Sequence, residues 1–104
     1  GVSAEELDEL IAIGLVAADA HGLFDSRAVR TVAVALEVHA QGVPLRNLRM
    51  LRTSAERQAD VIDQAVQHKR SRSSSAGEEA ASELAGKVGE LHALLLRRAV
   101  DALV

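Results

Sequence analysis

Ile11-Ala12-Ile13-Gly14-Leu15-Val16, Gly22-Leu23-Phe24-Asp25, Gly42-Val43-Pro44-Leu45 and Leu48-Arg49-Met50-Leu51-Arg52 divide the first half of the chain, and their spacing decides its fold. A glycine or proline stands at each joint, where one regular element must stop before the next begins. Upstream of Gly14, Ser3 and Glu6 have capping-box spacing, and Leu7, Leu10 and Ile11 recur at helical intervals. A helix over 4–13 is expected, stopped by Gly14 in a left-handed conformation. Residues 15–18 and 23–24 are long enough only for a small hairpin, closed by Asp19-Ala20-His21-Gly22. Asp25 is placed to cap a second helix that Gly42 ends. On its wheel Val29, Val32, Ala33, Leu36 and Ala40 share the expected core face, opposite Arg27, Arg30 and Gln41.

Pro44 can open a third helix, running to about His68, because a proline loses no hydrogen bond at the first helical position. Leu48, Leu51, Ala55, Ala59, Ile62 and Val66 line its apolar stripe. Lys69-Arg70-Ser71-Arg72-Ser73-Ser74-Ser75 interrupts the pattern and reads as a polar linker over 69–76. The last helix, over 77–104, would be ~40 Å long. The expected fold class is therefore all-α with a minor β-hairpin. It comprises a degenerate winged helix-turn-helix core in 1–68, the linker, and a long C-terminal helix, with helices packed in a homodimer. Gly1-Val2-Ser3 looks like the turn inside a helix-turn-helix, which would put that motif's first helix before Gly1.

Composition narrows the function classes. The 104 residues are 48% hydrophobic, contain one aromatic, Phe24, and carry a net charge of −3. An aliphatic core favours close helix packing, and the acidic balance gives no general attraction to nucleic acid or anionic membrane. With no cysteine there is neither a disulfide framework nor a thiolate metal site, and a cytoplasmic location is expected. No apolar run approaches the ~18 residues of a membrane span. The helix over 4–13 would occupy the recognition-helix position, yet it carries Glu5, Glu6, Asp8 and Glu9 and no cation. DNA affinity comes largely from neutralising phosphates, so these carboxylates oppose it.

Ile13-Gly14-Leu15, Phe24-Asp25, Gly42-Val43-Pro44-Leu45 and Leu48-Arg49-Met50-Leu51 resemble the pattern of the mercury-resistance-regulator (MerR) family of bacterial transcription factors. Its DNA-binding domains have Arg-Tyr-Tyr-like residues before Ile-Gly-Leu and arginines in the wing. Here those places hold Asp8-Glu9-Leu10-Ile11-Ala12 and Asp19-Ala20-His21. A closer likeness is to the C-terminal domain of actinobacterial members that regulate cell-division genes. His39-Ala40-Gln41-Gly42-Val43-Pro44-Leu45-Arg46-Asn47-Leu48-Arg49 and Arg52-Thr53-Ser54-Ala55-Glu56-Arg57-Gln58 carry it most specifically. That resemblance implies a non-catalytic regulatory domain that binds an effector or dimerises. Promoter DNA would be bound by a separate N-terminal domain.

The residues themselves suggest where such functions would lie. Leu84, Val88, Leu91 and Leu95 follow the 4-3-4 spacing of a helix-pair seam. With Leu94 and Leu96 they make the last helix apolar nearly all round, and a homodimer interface is expected there. Beside the seam runs a row of small residues, Ala81, Ala85, Gly89 and Ala93, and close approach of another helix could compensate for Gly86 and Gly89. Phe24, Val32, Leu36 and Gly89 form a candidate pocket for a small apolar effector, with a protein partner as the other possibility. Arg46, Arg49 and Arg52 near the start of the third helix are a candidate anion or DNA contact. The alternative function is accordingly a direct DNA-binding winged helix that uses this arginine cluster. A solvated face with pairs such as Arg52–Glu56 is the plainer explanation. His21, His39, His68 and His92 lie on separate elements without ligand-like spacing, so no metal is expected. No serine has a recognisable base, no catalytic residue or cofactor is expected, and the chain reads as a non-enzyme.

Overall fold

The computed structural model describes residues 2–104. It contains α1 (Ala4–Ala12), α2 (Ser26–Ala40), a 3-10 helix (Leu45–Leu48), α3 (Arg49–Arg70) and α4 (Ser74–Asp101), and no strand among the described residues. The fold is all-α. The turn expected over Gly1-Val2-Ser3 begins outside the described residues. The chain forms two compact units, 1–55 and 56–104, with their boundary inside α3.

In the first unit α1 starts on the expected capping box. The Glu6 amide donates to Ser3 Oγ at 3.1 Å, and the Ser3 amide donates to Glu6 Oε1 at 3.2 Å. Glu5 and Glu6 in the first turn also suit the positive end of the helix dipole. Gly14, at φ +80°, turns the chain out of the helix. Asp25 caps α2, its Oδ1 accepting from the Ala28 amide at 2.7 Å.

The expected hairpin over 15–24 does not form. An antiparallel pair needs two residues to exchange both N–H···O bonds. Here the Asp19 amide donates to the Leu23 carbonyl at 2.8 Å, but the return bond is missing. The Leu23 amide donates instead to the Asp19 carboxylate at 3.0 Å, as does the His21 amide at 2.8 Å, while the Asp19 carbonyl accepts from Gly22. A side chain has replaced the ladder, and the segment is a loop closed on Asp19.

The core of this unit is Leu10, Val16, Ala35, Leu45 and Leu48, with Leu10 wholly buried. The 3-10 helix packs on both α1 and α2, so its two leucines join the helices. Pro44 precedes this tight turn in an extended conformation and does not open a long α-helix; α3 begins at Arg49. The side of α2 that is buried also differs from expectation. Ala35 is its buried residue and Val29 is 58% exposed, with Val32 and Leu36 only half-buried. Val34, Ala35 and Val38 extend the apolar surface round the helix, so the wheel alone offers more than one candidate face.

In the second unit the later part of α3 and α4 form an antiparallel hairpin. Gln58 Nε2 lies 3.3 Å from His92 Nδ1, and Val66, 3% exposed, shares a groove with Leu84. The segment expected as a linker is mostly helical. Only 71–73 interrupt the helices, because Ser73 Oγ accepts from the Ala76 amide at 3.0 Å and caps α4. Helix contact is close at Gly77, where a Cβ would come within 2.9 Å of Arg70 Cα. At Gly86 and Gly89 nothing within the chain lies within 4 Å of such a Cβ. No helix of the described residues is long and apolar enough to cross a membrane.

Candidate functional site

Three surfaces concentrate the candidate residues. The first is the C-terminal half of α4. Leu84 and Val88 are half-buried, but Leu91, Leu94, Leu95 and Leu96 are 56%, 64%, 53% and 53% exposed. Val100 and Leu103 continue this exposed run. The seam therefore begins against α3 and ends as an uncovered apolar surface. The ion pair on this stretch, Arg97 Nη1 to Asp101 Oδ1 at 3.8 Å, is weak in geometry, and both side chains are well exposed.

The second surface is α2, whose buried seam leaves an apolar groove on either side. On one side Phe24 and Val32, with Val2, Leu7 and Val29, line a cavity of about 150 Å³. Val32 and Leu36 also line a neighbouring, more open hollow of about 470 Å³. Three of the four proposed effector residues thus fall on one flank of the first unit. Gly89 belongs to the second unit, with open space beside it. The groove on the other side lies beneath Arg27 and Arg30 and has a volume of about 360 Å³. On the helical wheel those arginines lie opposite the expected core face. The missed signal was that Val34 and Val38 recur at helical spacing with them.

The third is the arginine cluster, which the structure divides. Arg46 lies on the 3-10 helix and Arg49 begins α3, both exposed. Arg52 is half-buried and folds over Gly14: a Cβ there would collide with the guanidinium and come within 2.9 Å of Arg52 Cδ. Two of the histidines have structural partners. His39 Nδ1 lies 2.8 Å from the Val43 carbonyl, which can only accept, so this nitrogen carries a proton and ties the end of α2 to the next loop. His92 Nδ1 accepts from the Gln58 amide group. Among the described residues no group of three or more His, Cys, Asp or Glu is placed to hold a metal.

The described residues thus form a helical unit joined by a 3-10 turn and a helical hairpin with an open leucine surface. The chain belongs to the Rv1828-like, C-terminal domain family, whose model matches residues 1–104. Rv1828 is a MerR-family regulator, so this is a regulator-type domain family. No curated protein matches the chain.

Proposed function

We propose that this chain is the dimerising, effector-responsive domain of a MerR-like transcriptional regulator, with promoter DNA bound by a separate domain. The observation that carries the reading is the exposed leucine surface from Leu91 to Leu103 on α4. Large contiguous apolar patches on soluble proteins mark interaction sites. A second copy of the same helix supplies a self-complementary cover, as the commonest oligomeric symmetry requires. Dimerisation would hold two DNA-binding domains at half-site spacing. An effector would act by favouring one dimer geometry over another. Direct DNA binding by Arg46, Arg49 and Arg52 is the weaker reading, because Arg52 is folded onto Gly14 and α1 presents four carboxylates.

The absence of cysteine makes cross-linking a clean test. Leu95→Cys should give a disulfide-linked dimer under mild oxidation. Met50→Cys, on a still more accessible residue of the first unit, should remain largely uncoupled. Equal cross-linking at both positions, or none at Leu95→Cys, contradicts the α4 interface.

A further inference from the structure

We infer that α4 meets the α4 of a second copy in the antiparallel sense, in a register with its twofold axis at Leu94. Lys87 of one copy then lies beside Asp101 of the other, and Glu90 beside Arg98. This gives the dimer reading a direction and a register, and rests on that reading. Lys87, Leu91, Leu94, Arg98 and Asp101 recur at 4-3-4-3 spacing and so share one side of the helix, with Glu90 and Leu95 at its edges. All of these residues lie in the second unit and are exposed. Leu91, Leu94 and Leu95, each more than half exposed, make an apolar centre, and the charges lie at either end of it. Specific interfaces have that anatomy, an apolar middle inside a polar rim.

The order of the charges decides the direction. Lys87 and Asp101 are each seven residues from Leu94, and Glu90 and Arg98 are each four. A twofold axis through Leu94, perpendicular to the helix, brings residue 87 level with 101 and residue 90 level with 98. Both coincidences set opposite charges together, and the symmetry repeats each pair. A parallel arrangement sets every residue level with its own copy, lysine on lysine and arginine on arginine, where like charges repel. Within the chain Lys87, Glu90 and Arg98 form no ion pair among the described residues, and Asp101 has a loose contact with Arg97 at 3.8 Å. Exposed ion pairs add little affinity. The leucines supply that, and the charges select the sense of approach. An unrelated helix would need the same palindrome of charges, whereas a second copy carries it by construction.

The test is cross-linking by a short bis-maleimide between singly substituted chains, one of each mixed pair isotope-labelled. A mixture of Lys87→Cys and Asp101→Cys should couple labelled to unlabelled chain. Neither variant should couple to itself, because this register leaves the two copies of either residue about 21 Å apart along the helix axis. Leu94→Cys, on the axis, should couple to itself. Glu90→Arg should weaken the dimer about tenfold in sedimentation, and adding Arg98→Glu should restore it. The inference fails if Lys87→Cys couples to itself as well as it couples to Asp101→Cys, or if the second charge reversal brings no recovery. A dimer that persists through either result keeps the interface and loses the register. A native chain that sediments as a monomer removes both.

Discussion

At Gly14 two demands meet on one residue. Its φ of +80° is a conformation that costs an L-residue ~1–2 kcal/mol, and the Arg52 side chain occupies the space a Cβ would need. Gly14→Ala should therefore destabilise the first unit by at least ~1–2 kcal/mol in urea denaturation. Truncating the arginine should reduce that loss, since contacting residues are not additive. Equal losses with and without Arg52→Ala would show that the contact has no energetic weight. Glu6 makes a second prediction at this scale. The Ser3 backbone N–H, and then the Ser3 hydroxyl, hold its carboxyl below the usual glutamate range. A carboxyl depressed in the folded state stabilises the fold above its unfolded pKa, and this contribution fades as pH falls through the lowered value. Carbon-detected NMR titration should place the Glu6 midpoint below the usual glutamate range, and Ser3→Ala should raise it. A midpoint at the ordinary glutamate value contradicts the capping box.

Among the elements, those governed by neighbouring residues could be read directly. Ser3 and Asp25 cap the helices their spacing foretold, and Gly14, Gly22 and Gly42 all have positive φ. The hairpin was misjudged because turn composition does not reveal whether Leu23 donates to a carbonyl or to the Asp19 carboxylate. Asp19→Ala should consequently speed amide exchange at His21 and Leu23 several-fold while leaving α1 and α2 protected. Unchanged exchange would show that the carboxylate does not hold the loop. The serine run had a similar ambiguity, since serine suits both linkers and N-caps, and only the Ala76 amide reveals Ser73 as a cap. Non-local contacts left the weakest trace. Nothing in the sequence joins Arg52 to Gly14, and α2 has apolar residues on enough of its surface to hide which seam is buried. The candidate residues are legible to the same degree: the leucines of α4 stand out by number, whereas the Arg27 groove needs the positions of Leu15, Leu48 and Leu51.

At the scale of the whole molecule, buried apolar residues are few, and five of the six among the described residues lie in the first unit. In the second, Val66 is buried, while the leucines of α4 remain largely in water. Fully burying a leucine is worth ~1.5–3 kcal/mol, so a partner at this surface would supply much of what that unit lacks. Sedimentation velocity at high micromolar concentration tests this most directly. The native chain should sediment at twice its 11.0 kDa mass, and Leu91→Asp with Leu95→Asp should return a folded monomer. A native chain that remains monomeric throughout that range would contradict the account.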